Sequence, residues 1–238
     1  EMVDEPESIM KNLMEERYRL MNGYFGNAKA DKKKVKEAMI PSHYAISLSG
    51  EPTMYPKLPG LITYLKNLRD TKSIFLVTNG QEPEMLNRLQ DEDALPTQLY
   101  LSTNAPNRRI FFMINKPRYR DAWERWWKSL LFLREINTRT VVRITLIRSL
   151  NADLDLVPLF ADIMKRGNPH FIEVKSYMHV GYSNQRLEKS DMMEMSEVRE
   201  YANSLANAVG CYKFMDESII SRVVVLQNTE RYLDRLIT

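Results

Sequence analysis

Cysteine is nearly missing from this sequence: Cys211 is the only one in 238 residues. A single thiol excludes an internal disulfide, and it excludes a cysteine-built metal cluster made from these residues alone. A reducing, cytoplasmic setting follows as the default. Histidine is scarce too, and His43, His170 and His179 are too scattered for a zinc site. No two of the eight glycines are adjacent, and neither a P-loop nor a GxGxxG fingerprint can be built from them. No apolar run approaches the roughly 18 residues of a membrane span. An excess of one charge is also lacking. The 34 basic and 31 acidic residues leave +3, so a nucleic-acid partner must be argued from where the basic residues lie. The start, Glu1-Met2-Val3-Asp4-Glu5-Pro6, is acidic and is no secretory leader. With methionine second and a helical pattern beginning almost at once, it reads as a fragment or as a chain whose beginning was not resolved.

What is present is alternation. The length suffices for one domain with its own core. Tyr44 to Leu48, Ser73 to Thr78, Gln98 to Thr103, Thr140 to Ile147 and Phe171 to Ser176 are short apolar runs closed by polar turns, as buried strands are. Between them lie helical spacings at residues 58–69, 82–89, 121–135 and 154–164. Asp121 is placed to cap the third of these and Gly167 to close the fourth. Ahead of the strands, residues 6–21 read as a helix with one buried face, ended by Asn22-Gly23. A basic loop and a short helix over 34–39 follow. Residues 196–209 read as a last helix, with terminal strands over 211–215 and 222–226. Strand and helix in turn, at least five times, give a parallel α/β sheet with right-handed crossovers, open or curled into a barrel. No repeat, low-complexity segment or linker divides the chain.

The strand ends carry the chemistry. Ser49-Gly50-Glu51-Pro52, Thr78-Asn79-Gly80 and Ser102-Thr103-Asn104 close the first three strands, and Arg143-x-Thr145 and Glu173-x-Lys175-Ser176 occupy the next two. Polar residues on five strand edges of one side make a ligand site there far more probable than any one edge does. Gly50 lets a ligand approach the backbone, and Glu51 adds a carboxylate. Two readings stand for Arg143, Glu173 and Lys175: direct catalysis, or a structural ion-pair network. Asn107 to Arg120 interleaves Arg108, Arg109, Lys116, Arg118 and Arg120 with Phe111, Phe112 and Tyr119, which suits unpaired RNA, while the phenylalanines themselves suit a partly buried helix. Trp123, Trp126 and Trp127, with Leu130, Leu131 and Leu133, read as core.

These stretches resemble a known family. Gly23-Tyr24-Phe25-Gly26-Asn27, Ile46 to Pro52, Val77-Thr78-Asn79-Gly80, Pro96 to Tyr100, Arg143 to Leu146 and Phe171 to Ser183 are similar to the radical SAM enzymes that form the wyosine base of tRNA in the wybutosine pathway. Gly-Glu-Pro is shared by many radical SAM proteins, whereas Lys175 to Ser183 is specific to the wyosine enzymes. The resemblance implies one partial (β/α)6 barrel over 1–238, with a C-terminal extension from about residue 184. It implies S-adenosylmethionine (SAM) and 4Fe-4S cofactors, an electron donor, pyruvate, and tRNA carrying N1-methylguanosine at position 37 of the anticodon arm. It further implies a monomer with no membrane association. Ser49, Gly50 and Glu51 would hold the methionine ammonium of SAM. Asn79, Ser102 and Asn104 would bond its ribose and carboxylate. Arg143 would pair with a carboxylate of SAM or pyruvate, and Lys175 would meet pyruvate as charge partner or Schiff base. Lys32, Lys33, Lys34, Arg108, Arg109, Arg118 and Arg120 would contact tRNA by charge, with Tyr177 and Tyr182 stacking on bases.

One departure bears on the chemistry. The family holds its catalytic cluster on Cys-x3-Cys-x2-Cys after a first strand, with a second cluster on further upstream cysteines. The sequence contains neither set. The family's order would place both ahead of Glu1, so the first strand and cluster loop are expected to be missing, leaving no metal site in these residues. Two rivals therefore stand beside the radical enzyme: a cluster-free Schiff-base lyase using Lys175, and a non-catalytic tRNA-binding protein.

Overall fold

A computed structural model describes residues 3–47 and 50–237. Its centre is a seven-stranded sheet, ordered β1-β2-β3-β4-β5-β7-β6. The strands are β1 (His43–Ile46), β2 (Ser73–Thr78), β3 (Gln98–Ser102), β4 (Arg139–Leu146), β5 (Phe171–Ser176), β6 (Tyr212–Ser218) and β7 (Val223–Asn228). The first five pair in parallel. β7 then pairs antiparallel with β5 and with β6, so the C-terminal segment extends the same sheet. The expected α/β architecture is the one found.

Alternation along the strands sets two faces. Ile74, Leu76, Leu99, Leu101, Val142, Ile144, Ile172 and Val174 are buried beneath a helical layer formed by α3 (Leu58–Lys66), α4 (Pro83–Asp91), α6 (Ala122–Glu135), α7 (Val157–Gly167) and α8 (Met195–Val209). On the other face, a cavity of about 470 Å³ is lined by residues of all seven strands, from His43 through Phe75, Tyr100 and Glu173 to Val225 and Met215. One hollow touching every strand requires a curled sheet, which is the partial barrel.

The N-terminal helices differ most from their sequence patterns. α1 (Pro6–Phe25) runs through Asn22-Gly23 and is closed by Gly26. Its buried face is small: Pro6 and Met10 are buried, while Leu13, Tyr18 and Leu20 are exposed. α2 (Lys32–Ala38) starts within the stretch read as a basic loop, because Asp31 accepts from the backbone N–H groups of Lys33 and Lys34. The other helices depart in detail. Asp121 sits at the N-cap of α6 without a side-chain cap bond. Leu131 is exposed, whereas Trp126 is buried and stacks on Trp123 at 5.1 Å. Asn168, at φ 41°, closes α7 in place of Gly167. Gly167 instead lets α6 come close, since a Cβ there would lie 2.6 Å from Leu130 Cδ1.

Candidate functional site

All five parallel strands end on one side of the sheet, and a cavity of about 300 Å³ opens there, lined by Glu51, Asn79, Gln81, Ser102, Asn104, Lys116 and Arg118 among others. Two glycines shape its wall. Gly50 and Gly80 have φ of 81° and 75°, a left-handed backbone that glycine adopts without steric cost. Each turns the chain sharply after a strand.

Glu51 is the junction of the first two strand ends. Its Oε1 accepts from the Thr53 hydroxyl at 2.5 Å, the Thr78 hydroxyl at 2.6 Å and the Thr53 backbone N–H at 3.2 Å. Among the described residues, its Oε2 accepts only the Asn79 N–H, at 2.8 Å. A carboxylate offers about four acceptor positions, so Oε1 is committed to structure and Oε2 keeps capacity toward the cavity. Asn79 Oδ1 accepts from Gln81 N–H at 3.0 Å. Gln81 gives its amide N–H to Ala122 O at 3.0 Å, and its Oε1 is buried with no partner among the described residues.

The third and fourth strand ends are tied by a residue that the sequence reading missed. Asn151 is fully buried. It accepts from Ile147 N–H at 2.6 Å and donates to Asn104 O at 2.8 Å and Thr145 O at 2.9 Å. Asn104 is thereby fixed at the cavity wall, and its own Oδ1 takes Thr145 N–H at 3.4 Å. The Ser102 backbone carbonyl accepts from Trp126 Nε1–H at 3.1 Å, so the tryptophan helix anchors the end of β3.

Of the expected SAM contacts, Gly50 forms the turn beside this cavity, and Glu51, Asn79, Ser102 and Asn104 line it. Ser49 lies outside the described residues. Arg143 is placed elsewhere. Its fork bonds Glu173 at 2.9 and 3.2 Å, and its guanidinium lies over the Tyr100 ring at 4.7 Å. The ion-pair reading describes Arg143 as it stands, with Nε and one Nη on Glu173, while its other Nη makes no bond among the described residues. Burial, and then the Glu173 charge, push the Tyr100 phenol above its usual range. Lys175 is half-buried on the same face as Glu173, opposite Thr145 in the ladder. It forms no ion pair among the described residues.

The basic residues split into two groups. Arg108 and Arg109 open α5 (Arg108–Asn115), directly beyond the end of β3, and with Arg118 and Arg120 are exposed. Arg118 lines the cavity. Lys32, Lys33 and Lys34 do not join them. α1 begins beside the strand-end loops, where Asp4 O receives the Tyr55 hydroxyl at 2.7 Å. α2 packs on the far half of α1, where Arg17 bonds Ala38 O at 2.6 Å. A 20-residue helix spans about 30 Å, and the lysine run lies with its distal half. Tyr182 is 86% exposed, whereas Tyr177 is 5% exposed and its hydroxyl meets His179 Nδ1 at 3.1 Å. Tyr177 is thus corrected from a surface stacking platform to a buried wall residue. The sequence reading passed over Gln81, and it counted Lys116 only among the basic residues of the Asn107 to Arg120 stretch, not as a cavity residue. Lys116 has φ 43°, and this strained backbone has no signal in a lysine codeword.

The described residues hold no group of three or more His, Cys, Asp or Glu side chains placed for a metal, and Cys211 is a lone, half-buried thiol. They do not fit an iron–sulfur cluster. They do fit SAM, for which Glu51 Oε2 stands ready as an acceptor on the cavity wall. No helix among them is long and apolar enough to cross a membrane.

Comparison with known proteins agrees with this geometry. Residues 22–156 match the radical SAM superfamily and residues 166–228 match the wyosine base formation family. The chain is 40% identical over 227 residues to the S-adenosyl-L-methionine-dependent tRNA 4-demethylwyosine synthase of Pyrococcus abyssi, covering 95% of this chain and 65% of that protein. It is 38% identical to the synthase of Methanocaldococcus jannaschii, covering 97% and 70%. A solved structure of TYW1 with a lysine-pyruvate adduct bound superposes with a TM-score of 0.84 at 37% identity, over 96% of this chain and 71% of that one. The chain thus spans about two thirds of the length of its archaeal relatives. The chain belongs to the radical SAM superfamily and, within it, to the tRNA 4-demethylwyosine synthase family.

Proposed function

We propose that the protein to which this chain belongs is a SAM-dependent radical enzyme that joins a two-carbon unit of pyruvate to N1-methylguanosine-37 of tRNA, forming 4-demethylwyosine. The observation that carries this reading is the succession, on one chain, of a radical SAM segment and a wyosine-formation segment, with a SAM-compatible cavity on the first. The lysine-pyruvate adduct of the TYW1 neighbour supports pyruvate as the carbon source. SAM, when bound and reduced, supplies a 5′-deoxyadenosyl radical, and an electron donor is required for that reduction. The cluster ligands are proposed to lie on residues ahead of Glu1, and the protein is read as a cytoplasmic monomer. We treat residues 1–238 as one barrel-like unit, with those from about 184 as appended elements.

The residues of this chain bind and orient. Glu51 Oε2 takes the methionine ammonium, a charge-assisted bond that the crowded Oε1 cannot make. Asn79, Ser102 and Asn104 bond the ribose and carboxylate. Lys175 meets the pyruvate carboxylate as a cation, on the barrel face next to Glu173. Arg108, Arg109, Arg118 and Arg120 hold RNA phosphates near the cavity.

The test is direct. Full-length protein, reconstituted with iron and sulfide under anaerobic conditions, is incubated with SAM, pyruvate and tRNA bearing N1-methylguanosine-37. Nucleoside mass spectrometry should find 4-demethylwyosine, and Glu51→Gln should weaken SAM binding tenfold or more. SAM cleavage with no modified nucleoside would overturn the proposal.

A further inference from the structure

The first cavity, at about 300 Å³, sits at the low end of volumes that enclose one small ligand. Filled by SAM, it leaves no room for a nucleobase. A base inside a folded RNA is stacked, and an enzyme that acts on it swings it into a pocket with apolar walls and a few polar groups for its edge.

Such a pocket adjoins the first. A cavity of about 590 Å³ lies between the end of α5 and the loops that follow β4 and β5. Ile147 and Tyr177 are buried on its wall, and Leu150 and Leu187 are half-buried there. Asn104, Asn115 and Lys116 line both cavities. The shared wall therefore carries two side-chain amides. The Asn104 amide nitrogen makes no bond among the described residues, since only its Oδ1 is engaged, and the Asn115 side chain is exposed. An amide nitrogen is a donor, and it matches the N7 and O6 acceptors on the edge of a guanine.

The rim belongs to the loop after β5. Its 3-10 turn, Gly181–Gln185, presents Tyr182 at 86% exposure. Arg186, exposed beside it, lines the same cavity. An aromatic ring and a guanidinium at a pocket mouth suit the neighbours of a flipped base in a single-stranded loop: one more base to stack and one phosphate to pair.

We propose that this second cavity takes the target purine of the RNA, swung out of its stack. Asn104 and Asn115 present their amides to its edge from the wall shared with SAM, and Tyr182 stacks on an adjacent base. This rests on the tRNA-modifying reading given above. It adds where the base sits and which side chains receive it.

The test uses full-length, cluster-reconstituted protein and an anticodon stem-loop RNA with 2-aminopurine at the target position, whose fluorescence rises on unstacking. Binding to the wild type should raise the fluorescence, and Leu150→Trp, which fills the cavity, should abolish the rise. With tRNA as substrate, Leu150→Trp should raise KM for RNA about tenfold more than KM for SAM. If that variant does not fold, Asn115→Ala at an exposed position should lower kcat/KM for RNA threefold to tenfold. An equal fluorescence rise in wild type and Leu150→Trp, or unchanged kcat/KM in Asn115→Ala, overturns the cavity assignment alone. A wild type that cleaves SAM but binds no RNA overturns this proposal together with the tRNA-modifying reading.

Discussion

The two ends of the sheet use the same residue types to opposite effect. At the N-terminal ends of the parallel strands, Asn228 is fully buried. It donates to Asn168 Oδ1, Pro169 O and Tyr212 Oη at 2.7 to 3.1 Å and accepts from Glu230 and Arg231 N–H. His170 and Thr140 close on each other there. Every polar atom of Asn228 is spent inside the protein. At the other end, among the described residues, Glu51 keeps one oxygen largely open and Asn104 keeps its amide nitrogen. Both Glu51 and Asn104 are half-buried, so their free hydrogen-bonding capacity faces the cavity, where Asn228 offers none. A ligand in that cavity can pair with the Glu51 oxygen and the Asn104 nitrogen. The difference teaches that location on a strand end is not enough to mark a site; unfilled hydrogen-bonding capacity is what marks it.

The largest effect is expected where the open end is most tightly built. A Cβ on Gly80 would lie 2.7 Å from Leu101 Cδ1 and 3.2 Å from both Ser129 Cβ and Trp126 Cδ1, and the backbone there is left-handed. Gly80→Ala should cost about 3–4 kcal/mol, combining overpacking with strain, and should lower SAM affinity because Asn79 moves with the turn. Urea denaturation and SAM titration check both. A loss of stability without a loss of binding would show that the open end does not depend on this turn.

Much of this contrast was legible in the residues, for a physical reason. The strands after β1 announce themselves by alternating buried and half-buried residues, and Phe171 to Ser176 has the bounds read from the sequence. Glu51, Asn79, Ser102 and Asn104 were legible because polar residues closing apolar runs must sit at strand ends. What escaped depends on distant partners. Arg143 looks the same in sequence whether it meets a ligand or Glu173, and only the β4–β5 register, with those two residues opposite, decides. Asn151 escaped because its three partners come from two different strand ends. The exposed side of α1 escaped because spacing gives a face but not what covers it.

The closed end yields the next effect. Asn228→Ala removes two N–H donors shared among three acceptors, and two accepted bonds, and should cost about 2–3 kcal/mol, while SAM affinity stays within twofold. Paired with Gly80→Ala, it separates the ends: both variants lose stability, and only one loses ligand. If Asn228→Ala weakened SAM binding as much as Gly80→Ala does, the two ends would be mechanically coupled and the contrast would fail.

A smaller effect follows from His170. Its Nδ1 accepts Thr140 N–H at 3.2 Å, which requires an unprotonated nitrogen. Burial, and then the charges of Arg231 and Arg139, lower its pKa to about 4. The unfolded chain, near 6.5, binds this proton first as pH falls. Stability from this group is full above about pH 6.5 and declines as pH drops toward 4, by at most about 1.4 kcal/mol per pH unit. Urea midpoints between pH 7.5 and 4.5 should show the slope, and His170→Asn should flatten it. Identical slopes in the two proteins would mean that other groups set the acid limit.

The smallest effect probes the open end where it meets solvent. Tyr182 packs against almost nothing, so Tyr182→Ala should leave the urea midpoint where it was. Stacking of a base on an aromatic ring contributes about 1–3 kcal/mol, and a fully hydrated ring belongs at the lower bound. RNA affinity should therefore fall about fivefold, with SAM affinity unaltered and Tyr182→Phe close to wild type, because a phenyl ring stacks as well. The salt dependence of RNA binding should keep its slope, since no phosphate contact is removed. A lowered slope, or failure of phenylalanine to substitute, would place the hydroxyl on a phosphate. Tyr182 would then extend the charged surface of Arg108, Arg109, Arg118 and Arg120 and would not form the mouth of a base pocket.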